Sequence, residues 1–98
     1  MRGIVYGKTF QRAEKQLTSI LKDYKRMGIE PNLLRKSHYN FSIEFSNGDY
    51  WVAVGAGDSA RGRACNVAYI DREIDEDTVR CIIMPTIKGF PYQAHRYF

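Results

Sequence analysis

Cysteine is scarce in this sequence, with two among 98 residues, and long apolar runs are missing altogether. Cys65 and Cys81 share no metal-ligand spacing, and His38 and His95 stand apart from them. That pattern excludes a zinc motif and a disulfide framework, so both thiols are expected to be reduced and structural. The longest apolar runs, Val67–Ile70 and Cys81–Met84, are about four residues, against the roughly 20 that a membrane-spanning helix needs. The opening Met1-Arg-Gly-Ile-Val-Tyr has one positive charge and no extended apolar region, so no secretory signal is expected. Internal repeats and low-complexity tracts are lacking too.

What is present suits a single globular domain over residues 1–98: hydrophobic residues make up 44% and charged ones 27%. Fifteen basic against 11 acidic residues give a net charge of +4. That balance permits contact with nucleic acid or nucleotide without demanding it, because the two signs are interspersed.

Gly3-Ile-Val-Tyr6 is a short apolar β run, and Gly7-Lys8-Thr9 turns it into a helix. Phe10, Ala13, Leu17, Ile20, Leu21, Tyr24 and Met27 recur in steps of three and four, one helical face. Thr9 suits the N-cap, Lys25 and Arg26 the negative end of the dipole, and Gly28 the C′ position, while Pro31 blocks resumption. The opposite face, with Arg12, Glu14, Lys15, Lys22 and Asp23, reads as a solvated surface. Gly7-Lys8-Thr9 is not a phosphate loop: the first glycine of that motif would fall at Arg2, and Ile4, Val5 and Tyr6 favour a strand. Lys8 and Thr9 at a helix N-terminus are still candidates for holding an anion.

Residues 29–40 read as a connector with a helical turn at Pro31–Arg35. Asn47-Gly48 between alternating runs predicts a β-hairpin with a two-residue type I′ turn. In that register Phe45 faces Tyr50, Ile43 faces Val52 and Phe41 faces Val54, all on one sheet face. Trp51 falls on the more polar side, either under a loop or helix or as a contact for a partner. The segment Gly55 to Arg63 is rich in small residues and offers Arg61 and Arg63 to phosphate, or simply to solvent. Asn66–Ile70 predicts a buried parallel strand. Asp71 at its carboxyl end is placed to hold magnesium, and Glu73 follows it. The alternative is an acidic turn into a helix, with Asp75 as N-cap, Glu76 and Asp77 in the first turn, and Ile74 against Val79. Phe90, Tyr92, Tyr97 and Phe98 form an aromatic tail that docks on its own domain or on a partner.

The run Ile43-Glu-Phe-Ser-Asn-Gly-Asp, then Asp58-Ser-Ala-Arg-Gly-Arg, then Asn66-Val-Ala-Tyr-Ile-Asp resembles the ATPase domain of phage terminase large subunits, the motors that package DNA. Val5-Tyr-Gly-Lys-Thr-Phe-Gln-Arg-Ala resembles the family's strand-turn-helix segment after the P-loop helix, and Ile83-Met-Pro-Thr-Ile its helix after the Walker B strand. The resemblance implies that Asp71 stands for the Walker B aspartate that organises magnesium, and Arg61 for an arginine near the nucleotide that acts like a finger across a subunit boundary. Arg61, Arg63, Lys8 and Thr9 become the phosphate-binding candidates, with Arg61 and Glu73 the catalytic ones. The catalytic glutamate of the family would fall at Arg72, and Glu73 sits one place further on.

Three functions stay open. One is a terminase-like segment of a viral DNA-packaging ATPase, not catalytic alone, taking magnesium and ATP only when another chain completes the site. The second is a non-catalytic phage protein that binds and modulates a terminase or another partner. The third is a small basic DNA-binding module. The expected partners are other terminase or motor subunits and DNA, with self-association to cover exposed apolar sheet and no membrane; the expected location is the host cytoplasm. The expected fold is α/β: two parallel strands, Ile4 and Val67, plus the Phe41–Val54 hairpin in one small mixed sheet, with the long helix packed on it.

Overall fold

The computed structural model describes residues 1–56, 63–88 and 94–98. Strand β1 (Arg2–Gly7) grows from the Ile-Val-Tyr run and is followed by helix α1 (Phe10–Arg26). Thr9 caps that helix as expected, its side chain accepting the Arg12 N–H at 3.3 Å. Then come β2 (Pro31–Ser37), β3 (Asn40–Phe45), β4 (Tyr50–Gly55) and β5 (Val67–Ile70). A helical arm follows, comprising the turn α2 (Glu76–Thr78), a π-helical stretch Val79–Ile83 and a 3-10 turn Met84–Thr86. Strand β6 (Ala94–Tyr97) ends the described chain.

These strands make one six-stranded sheet in the order β2-β3-β4-β1-β5-β6. β1 lies parallel between β4 and β5, β6 is parallel to β5, and β2, β3 and β4 are antiparallel. The expected mixed α/β sheet with a long helix is therefore present, two strands larger than the sequence suggested. Both faces are covered. Val5, Phe41, Ile43, Phe45, Trp51 and Ala53 meet Ala13, Leu17, Ile20 and Tyr24 of α1. On the other face Ile4, Tyr6, Val52, Val54, Ala68 and Ile70 meet Ile74 and, from the helical arm, Val79 and Ile83. Burial on both faces explains why β1 reads as an unbroken apolar run.

Two expectations are corrected. Residues Pro31–Ser37 form a strand, not a connector with a helical turn. This strand is an edge strand, exposed along most of its length, so its polar and leucine residues carry no burial signal; pairing with β3 satisfies its backbone instead. The hairpin register is also shifted by one residue: Phe41 pairs Ala53, Ser42 pairs Val52 and Ile43 pairs Trp51. The Phe45 N–H bonds the Asp49 carbonyl (2.8 Å) and the Gly48 N–H bonds the Phe45 carbonyl (3.0 Å), so the loop has three residues, Ser46-Asn47-Gly48. A type I′ turn needs positive φ at both central residues, and here only Gly48 has it (φ 92). The one-residue slip sends Val52 and Val54 to the face opposite Phe41, Ile43 and Phe45, where the helical arm covers them.

The same shift seats Trp51 beneath α1. Its indole Nε1–H donates to the Tyr24 hydroxyl (3.0 Å), which donates to Asp49 Oδ2 (2.7 Å). Of the aromatic tail, Phe98 packs against the α1 side of the core and Tyr97 is exposed; Phe90 and Tyr92 lie outside the described residues.

Candidate functional site

The parallel strands β1, β4 and β5 all end on one side of the sheet, and the N-terminus of α1 opens there. Gly7 makes the turn from β1 into α1 tight: a Cβ at this position would lie 2.5 Å from the Ala13 backbone nitrogen and from the Thr9 carbonyl oxygen. The close approach brings the first turn of α1 over the end of β5, where Asp71 sits with no exposed surface.

The Asp71 carboxylate accepts four hydrogen bonds. Arg12 forks onto it, Nε to Oδ2 and Nη2 to Oδ1, the latter at 2.9 Å. The Lys8 backbone N–H donates to Oδ2 (3.0 Å) and the Glu73 backbone N–H to Oδ1 (3.0 Å). The Arg12 hydrogen bond, helped by the two backbone donors, holds the Asp71 carboxyl well below the ordinary range despite its burial. The Arg12 guanidinium is raised in turn, first through its bond to Asp71. A helix N-terminus is a natural anion seat. Here the anion beside it is the protein's own carboxylate.

Of the remaining sequence candidates, Lys8, Thr9 and Glu73 lie at these strand ends. A turn closed by the Ile74 N–H on the Asp71 carbonyl (3.1 Å) carries Arg72 and Glu73. The Arg72 side chain is exposed, and its backbone N–H continues the β5–β6 pairing by donating to the Phe98 carbonyl (2.9 Å). Glu73 lines a cavity of about 210 Å³ with Lys8, Ala56, Ile74, Asp75 and Thr78, so the turn brings it to the strand ends despite its place one residue beyond Arg72. Thr9 is occupied as the N-cap of α1. Arg63 is exposed, near enough to Tyr6 to act on it electrostatically. Arg61 lies outside the described residues. Asp75 caps the helical arm through the Thr78 N–H (2.9 Å). A larger hollow, about 680 Å³, runs from Arg12 and Phe98 at the strand ends along Lys15, Ser19 and Lys22 of α1.

Arg12 is the residue that sequence reasoning missed. Its helical phase placed it on the solvated face, and half of its side chain is exposed. The available signal was its position in the first turn of a helix that starts from the strand next to β5.

No protein-family model matches the sequence, and no curated protein matches it. The fold is similar to that of the large terminase from a thermophilic bacteriophage, with a TM-score of 0.69 at 14% identity, covering 98% of this chain and 25% of that one. The same terminase in complex with ATP-gamma-S aligns with a TM-score of 0.68 at 14% identity over 98% and 24% of the two chains. In complex with ADP it aligns at 0.66 and 17%, over 98% and 25%. The chain thus spans about a quarter of those proteins' length, and what it shares with them is a fragment-level α/β fold.

Proposed function

We propose that this chain is a terminase-like segment of a viral DNA-packaging ATPase, one that does not turn over ATP alone and works against another motor subunit. The observation that carries the reading is the conjunction of a large-terminase fold along 98% of the chain with an acid, Asp71, at the carboxyl end of the strand next to β1. Ligands of open α/β sheets gather at such strand ends. The family-like blocks around Asn47-Gly48, Asp58–Arg63 and Asn66–Asp71 occur in the order the resemblance requires.

Magnesium does not fit Asp71 as it is paired here. The ion needs free oxygen lone pairs at close to octahedral geometry, whereas both Asp71 oxygens are taken by a guanidinium and two backbone N–H groups. No group of three or more acidic, histidine or cysteine side chains among the described residues offers a substitute. The proposal therefore assigns no hydrolytic step to this chain alone, and Arg61, Arg63, Lys8 and Glu73 remain candidates for phosphate or for a partner.

A second reading, a non-catalytic protein that binds and modulates a terminase, is favoured by the sheet's two outer strands. Among the described residues β2 and β6 are the outer strands and both are exposed, and an outer strand can pair with another chain. Co-elution of the purified chain with a P-loop-bearing large terminase tests both versions. A stable complex is expected; two proteins eluting independently at micromolar concentration would refute the motor context.

A further inference from the structure

We infer that Arg12 is the resident cation of the site at the strand ends, and that it keeps divalent metal away from Asp71. The inference concerns this chain's own pair and stands whether or not the chain works with a motor.

A buried carboxylate must be neutralised by a partner or a metal. Asp71 has no exposed surface, and the guanidinium fork supplies the compensating charge with matched bidentate geometry. The two backbone N–H groups complete the set, leaving Asp71 without an open acceptor direction. Arg12 is held from its own backbone as well: its N–H bonds the Thr9 cap, and Gly7 brings that turn against β1. The pair joins residues 59 apart in sequence, the first turn of α1 and the end of β5. Glu73 stands close enough to reinforce the Arg12 charge. Without the guanidinium, the same corner would present one buried carboxylate with open acceptor directions and one nearby exposed carboxylate, against the single ammonium of Lys8 on the cavity wall beside Glu73. Those are the conditions under which a hard cation binds.

The test titrates manganese chloride, as a paramagnetic probe of a magnesium-type site, into the folded full chain by water-proton relaxation. Thermal melts with magnesium chloride against an ionic-strength control run in parallel. The native chain should show no saturable binding and no metal-dependent rise in melting temperature. Arg12→Gln should gain a saturable site at least about tenfold tighter than any in the native chain, the scale on which groups around a metal site act. Adding Asp71→Asn to it should abolish the gain. If Arg12→Gln does not fold, Arg12→Lys replaces it, since a single ammonium leaves one carboxylate oxygen open and should admit manganese more weakly. Saturable manganese binding by the native chain that Asp71→Asn removes would overturn the inference. So would a folded Arg12 variant, Gln or in its place Lys, that binds no better than the native chain.

Discussion

Asp71 and Tyr24 are the two side chains whose neighbours decide most at this site and in the core. Because Arg12 lowers the Asp71 pKa in the folded state, the stability it contributes is present above the ordinary carboxyl value of 3.8 and is lost as pH falls below it. Denaturant melts between neutral pH and strong acid should therefore show a steeper loss below about pH 4 in the native chain than in Asp71→Asn. At neutral pH, Asp71→Asn should cost about 2 kcal/mol, because it removes the charge but leaves some hydrogen bonding. The phenols of Tyr6 and Tyr24 are pushed up to about 12, first by burial and, for Tyr24, also by its bond to Asp49. A raised folded-state value means that stability is present below the ordinary value of 10.0 and declines as pH rises toward 12. In a phenolate absorbance titration, Tyr6 and Tyr24 should ionise late. Tyr24→Phe should leave the Trp51 indole N–H without its partner in the core and cost about 1–3 kcal/mol. A melt followed by tryptophan fluorescence reads that loss.

At the scale of elements, α1 shows how much was legible. Its cap, apolar face and end follow from local chemistry that operates within a turn or two, which is why Thr9 and the stripe from Ala13 to Tyr24 match the structure. The hairpin was visible in Asn47-Gly48, but its register was not. Two- and three-residue loops share that dipeptide, and apolar residues on both faces of β4 satisfy either register once a second helical layer exists. β2 and β6 left little trace because edge strands bury little, and the two-residue turn His38-Tyr39 between β2 and β3 lacks the usual glycine or asparagine. The Asp71–Arg12 pair depends on how closely α1 approaches β1, which no residue spacing encodes. That approach is testable: Gly7→Ala puts a methyl group 2.5 Å from helix backbone and should cost about 2–3 kcal/mol in chemical denaturation. It should also loosen the Arg12 fork, seen as a shallower acid limb of stability.

On the scale of the whole molecule, the described residues form a sheet with two covered faces and two exposed outer strands, β2 and β6. None of its helices among the described residues is long and apolar enough to cross a membrane. The likeness to a large terminase extends along almost the full chain yet covers only a quarter of that protein, and the saturated Asp71 supplies no free acid for metal. The proposal is that such a chain, similar in fold to a fragment of a large terminase, does not turn over ATP by itself. Its most direct test is steady-state phosphate release from ATP with magnesium, measured for the purified chain by itself and mixed with a P-loop-bearing large terminase. Background release from the chain alone and a changed terminase rate in the mixture are expected. Turnover by the chain alone that disappears in Asp71→Asn would contradict the proposal.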